Sequence, residues 1–161
     1  MNNTIMLVDG NALVHRAFHA IPPLNAPDGR SVHAVYGFFS ILLSAIAHVH
    51  PDSVCVAFDE PGPTFRDALY EQYKATRHKA PQSLYDQFPL IKHLLDACAI
   101  PHIGCAGYEA DDIIGTLSYT SQTMPTGRQV SNHAYRQAGL KSQNNGIKII
   151  IVTGDNDAFQ L

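Results

Sequence analysis

The chain has 161 residues, 45% of them hydrophobic, and a formal net charge of -3. That much apolar matter can bury a core, so the chain reads as one soluble domain or part of one. Its slight acidity excludes a global basic field drawing it onto nucleic acid, and any such binding must come from a local patch. Cys55, Cys98 and Cys105 form no Cys-x-x-Cys pair and sit among apolar residues, as expected of small buried hydrophobes in a reducing compartment. The apolar run after Met1-Asn2-Asn3 is too short for a secretory signal, and Val35 to Val49 is too short to span a bilayer. A cytoplasmic protein without membrane contact is therefore expected.

In chain order, Thr4-Ile5-Met6-Leu7-Val8 is almost continuously apolar, the mark of a strand buried on both faces of a parallel sheet, and it ends at Asp9-Gly10-Asn11. The spacing of Leu13, Ala17, Phe18 and Ile21 predicts a helix from Ala12, stopped by Pro22-Pro23. After a loop rich in Pro, Gly and Asp, Val32 to Val49 is apolar all round, which predicts a largely buried helix. A second strand, Ser53 to Phe58, runs into Asp59.

Between Glu60 and Ala80, Pro61-Gly62-Pro63 breaks the chain, and Arg66, Lys74, Arg77, His78 and Lys79 alternate with Phe65, Tyr70 and Tyr73. Basic groups that neutralise phosphates, interleaved with rings that stack on bases, are the two parts of a single-strand surface. A solvated helix whose Asp67 and Glu71 pair with those basic residues accounts for the same composition. Leu84, Phe88, Ile91, Leu94 and Leu95 then predict an amphipathic helix over 81–99, followed by a short strand at Ile100 to Ile103.

Gly107-Tyr108-Glu109-Ala110-Asp111-Asp112 packs three carboxylates into four positions ahead of a helical pattern. Acidic residues favour a first helical turn for the macrodipole alone. Alternatively Glu109 and Asp112, three apart on one helical face, hold a divalent cation with Asp111 beside them. From 118 to 146 the sequence turns polar and reads as a surface insertion. Order returns with the strand Ile147 to Val152, which leads through Thr153-Gly154 into Asp155-Asn156-Asp157.

Asp9, Asp59, and the pair Asp155 and Asp157 thus each follow a predicted strand, and the acidic cluster opens a helix after another. In an open α/β sheet the functional crevice lies beyond the carboxyl ends of the strands, so seven carboxylates should meet on one edge. Converging anions repel unless a cation sits among them, and an all-oxygen set suits Mg²⁺ or Mn²⁺ rather than zinc. Such a cage is the usual apparatus for hydrolysing phosphodiesters. A phosphatase using Asp9 as nucleophile is disfavoured, because Asp9-Gly10-Asn11 lacks a second acid two residues on.

Leu7-Val8-Asp9-Gly10-Asn11, Arg16-Ala17-Phe18-His19-Ala20, Ala34-Val35-Tyr36-Gly37-Phe38, Phe58-Asp59, Phe65-Arg66, Tyr73-Lys74-Ala75, Arg77, Gly107 to Asp112 and Thr153 to Asp157 together resemble the 5'-to-3' exonuclease domain of bacterial DNA polymerase I, within the flap endonuclease family. The resemblance implies a PIN-like (resolvase-like) α/β/α fold of three layers with a mostly parallel central sheet. Residues 1–161 would be the catalytic region, with 60–80 a helical arch inserted after the second strand and 118–146 an insertion loop. It implies metal-dependent removal of 5' nucleotides or flaps from DNA and from RNA-primer hybrids, with two Mg²⁺ or Mn²⁺ ions in the family site. Asp9, Asp59, Glu109, Asp111, Asp112, Asp155 and Asp157 would be metal ligands, directly or through water. Lys74 and Arg77 would grip the 5' strand and the scissile phosphate, while Tyr73, Arg66 and Arg16 would contact DNA. The family's later Gly-Asp-x-x-Asp-Asn motif and helix-hairpin-helix lie past Leu161, where further strands would cover the last one here. A monomeric fragment of a polymerase-bearing protein is the expectation, the alternative being a weakly active or inactive DNA-binding remnant.

Overall fold

The computed structural model describes residues 3–70, 80–123, 129–130 and 147–154. Strands β1 (Thr4–Asp9), β2 (Ser53–Phe58), β3 (His102–Gly104), β4 (Gln129–Val130) and β5 (Lys148–Val152) form one sheet in the order β3-β2-β1-β5-β4. Every pairing is parallel. Parallel neighbours need crossovers, and the helices that make them cover both faces.

Alternation along the strands assigns those faces. Met6, Val8, Val56 and Phe58 point into a core shared with α1 (Gly10–Ala20), α2 (His33–Val49), α4 (Gln82–Tyr85) and α5 (Phe88–Ala97). Leu7, Ala57, Ile149 and Ile151 point the other way, onto Ala110 and Ile114 of α6 (Ala110–Thr123). The result is the expected three-layer α/β/α arrangement.

Two local features lock the larger core. The N-cap of α2 is Val32, which has no side-chain acceptor, so the first amides of that helix need another partner. Gln87, fully buried, supplies it from outside: its Oε1 accepts from Ala34 N at 2.8 Å and Val35 N at 3.3 Å, and its Nε2 donates to Ser83 O. At the head of α1, Gly10 lies against the buried Phe58 ring so closely that a Cβ there would overlap it.

Several sequence expectations change. The helix expected over 81–99 is two, because Pro89 in the first turn of α5 has no N–H with which to continue a preceding helix. Cys98 and Cys105 are exposed and only Cys55 is half-buried, since Cys98 caps the end of α5 and Cys105 lies in the turn after edge strand β3. Regular structure also extends into the stretch read as an insertion, with α6 running to Thr123 and β4 flanking β5. The last strand is consequently interior to the sheet, between β1 and β4. Among the described residues no helix is long and apolar enough to cross a membrane.

Candidate active site

The register of the sheet fixes the site. Asp9, the last residue of β1, stands opposite Ala57, while Val8 stands opposite Val152. Asp59 and Thr153 therefore emerge just beyond β2 and β5, on the same carboxyl edge as Asp9. The N-terminus of α6 approaches that edge from the opposite layer.

Asp9 is the buried member, only 5% exposed. It caps α1, its Oδ1 accepting from Ala12 N at 2.9 Å, and its Oδ2 accepts from Thr153 Oγ1 at 3.1 Å. Those bonds favour its anion, yet burial outweighs them, and the nearby Asp111 and Asp59 charges add to the rise. The carboxyl is pushed up to about 6.

Asp59 is exposed and held at both oxygens. Oδ1 accepts from Ala110 N at 2.7 Å, the first helical amide of α6, and Oδ2 accepts from Asn11 Nδ2 at 2.9 Å. In return Asp59 N donates to Asn11 Oδ1 at 3.1 Å.

The acidic first turn of α6 divides its labour. Gly107, at φ +84°, makes the turn that precedes it, a backbone state that favours glycine. Asp112 reaches back to accept from Glu109 N at 3.0 Å, half of a capping box. The same carboxylate takes two Arg66 bonds of 2.6 Å each, and Arg66 Nη1 is 3.8 Å from Glu109 Oε2. Arg66 belongs to α3 (Phe65–Leu69) and also lies over the Phe65 ring at 4.6 Å. Phe65 N donates to Gly107 O at 3.0 Å, and the Phe65 and Tyr108 rings are 5.6 Å apart, so α3 is fastened to the acidic turn at several points.

Of the residues expected at the site, Asp59 and Asp111 both come within electrostatic reach of Asp9, and Glu109 and Asp112 share Arg66. Arg66 faces these carboxylates, and Arg16 stands exposed on α1. Tyr73, Lys74, Arg77, Asp155 and Asp157 lie outside the described residues. Among the described residues, no group of three His, Cys, Asp or Glu side chains is drawn together closely enough to hold a metal ion. The donor chemistry nonetheless fits a hard cation: Mg²⁺ keeps several waters and takes one or two carboxylates directly, and the like-charge strain on Asp9 is what a cation would relieve. Sequence reading missed Asn11 and Thr153 as carboxylate partners, because neither residue type signals which distant side chain it will meet.

Residues 4–131 match the family described as the 5'-3' exonuclease, N-terminal resolvase-like domain. The chain belongs to that 5'-3' exonuclease family. A DNA polymerase I of Chloroflexus aurantiacus is 44% identical to this exonuclease-family chain over 159 residues, 98% of the chain and 14% of the polymerase. A 5'-3' exonuclease of Aquifex aeolicus is 35% identical over 158 residues, 98% of the chain and 47% of that relative. Among solved structures, the T5 5'-exonuclease with bound zinc has the same fold at a TM-score of 0.52 and 22% identity, covering 73% of this chain and 44% of that one. This 5'-3' exonuclease domain thus spans less than half the length of each of these proteins.

Proposed function

We propose that this domain is the metal-binding part of a structure-specific 5'-nuclease, acting on DNA that carries a 5' end or flap and on RNA-primer hybrids. The observation that carries the reading is that Asp59 and Asp111 stand close enough to add their charges to buried Asp9 at the carboxyl edge of the sheet, whose carboxyl is pushed up to about 6. Membership of the exonuclease family supports the same chemistry. Asp9, Asp59 and Asp111 would hold a divalent cation, Mg²⁺ or Mn²⁺, with Glu109 and Asp112 beside them, and Asp155 and Asp157 would complete a two-ion set. When bound, such a cation neutralises the phosphoryl oxygens and eases formation of the attacking hydroxide.

The chain's own residues supply position. Thr153 and the Ala12 amide fix the Asp9 carboxylate, and the Ala110 amide and Asn11 fix that of Asp59. Arg66 holds α3 against α6 beside the carboxylates, and Lys74 and Arg77 would serve as phosphate grips with Tyr73 as a base-stacking ring. Arg16, exposed on α1, would add a backbone-phosphate contact.

The test is cleavage of a 5'-labelled flap duplex with Mg²⁺ or Mn²⁺, by this chain, its Asp111→Ala variant, and a longer chain carrying the relatives' following residues. Metal-dependent cutting by either active form, lost on Asp111→Ala, supports the reading. Binding of the flap without cutting by either form would favour a non-catalytic DNA-binding role, and neither binding nor cutting would end the proposal.

A further inference from the structure

The Asn11–Asp59 contact is a reciprocal pair across the carboxyl edge of the sheet. Because Asp9 is in register with Ala57, Asn11 and Asp59 each stand two residues past the same rung, facing one another between the heads of β1 and β2. Asn11 donates from Nδ2 to Asp59 Oδ2 and accepts at Oδ1 from the Asp59 amide. Only a planar group with a donor and an acceptor side by side makes both bonds, which is the chemistry of a side-chain amide. An aspartate at position 11 would set anion against anion.

Asp59 leads into Pro61-Gly62-Pro63 and is exposed, so close packing does little to hold the rotamer of its carboxylate. Two donors, one on each oxygen, hold it instead and still leave each oxygen a lone pair for a cation. Exposed hydrogen bonds of this kind add little to folding stability. Their effect falls on orientation instead.

We propose that Asn11 is a positioning residue that aims the Asp59 carboxylate at the cation. The inference rests on the reading of Asp59 as a metal ligand. Outer partners of metal ligands typically set affinity by about 10- to 100-fold, and Asn11 is expected to act in that range.

The experiment is a calorimetric Mn²⁺ titration of the intact chain and of Asn11→Ala and Asn11→Leu, each with a thermal melt recorded in EDTA. The expected result is Mn²⁺ binding weakened about 10- to 100-fold in the variants, with melting midpoints in EDTA close to that of the unmutated chain. A folded variant that binds Mn²⁺ as the unmutated chain does would overturn the inference while leaving the site itself standing. Loss of the fold in both variants would assign Asn11 to stability and also overturn it. An unmutated chain that takes up no Mn²⁺ would remove the metal site and this inference together.

Discussion

Arg66 and Asp112 face one another through two parallel bonds of 2.6 Å, the bidentate fork that joins a guanidinium to a carboxylate. They are 46 residues apart, and the bond ties α3 to the first turn of α6. Lysine cannot reproduce that fork. Arg66→Lys should therefore lower stability by about 1–2 kcal/mol, and Arg66→Ala by somewhat more, because Asp112 then loses both guanidinium bonds. Urea midpoints measure this, and a double-mutant cycle with Asp112→Ala isolates the pair. Equal stability of Arg66→Lys and the unmutated chain would contradict the assignment.

Gly10→Ala poses a contest of sign. Replacing glycine by alanine inside a helix ordinarily gains about 0.5–1 kcal/mol. Here the new methyl would overlap the ring of Phe58, which is fully buried with the Phe38 and Phe88 rings beside it. Overpacking of that kind costs about 1–3 kcal/mol, so a net loss is expected. A thermal melt reads it directly, and a raised midpoint would show that the ring yields.

Gln87 serves as a borrowed cap for α2. Truncation to alanine leaves the amides of Ala34 and Val35 buried without their acceptor and should cost about 2–3 kcal/mol. Gln87→Leu fills most of the volume but supplies no acceptor. It should be nearly as destabilised as Gln87→Ala in urea titrations, and recovery by leucine would mean that packing, not capping, dominates.

Burial of Asp9 couples folding to pH. Its carboxyl lies at about 6 in the folded chain against 3.8 ordinarily. Between those values the folded state binds the extra proton, so the Asp9 contribution to stability is greatest at the acid end and is lost as pH rises from about 4 to about 6. The loss is on the order of 3 kcal/mol from this group. Urea midpoints measured in EDTA across that window should fall more steeply for the unmutated chain than for Asp9→Asn, and parallel profiles would contradict the assignment.

Much of this was readable from residue order. Ile5 to Val8, Val54 to Phe58 and Ile149 to Val152 are apolar runs that fit buried parallel strands, and Asp9 and Asp59 after the first two lie at the carboxyl edge. What escaped was long-range pairing. Nothing local in Asn11, Thr153 or Gln87 tells which group 48, 144 or 53 residues away it will meet. The outer strand β4 was also hidden, because Gln129–Val130, which pairs with β5, is only two residues long and sits in polar sequence. Exposure of Cys98 and Cys105 follows from their places at an element end and in a turn, where apolar neighbours in sequence do not become neighbours in space.

Whether the strand-end carboxylates hold a divalent cation decides the chemistry of this site. The most direct measurement is Mn²⁺ uptake at neutral pH by the unmutated chain, compared with an Asp9→Asn, Asp59→Asn double variant shown by its melt to be folded. Saturable uptake that Mg²⁺ displaces, and that the double variant loses, is the predicted result. Uptake of equal strength in both, or in neither, would contradict it.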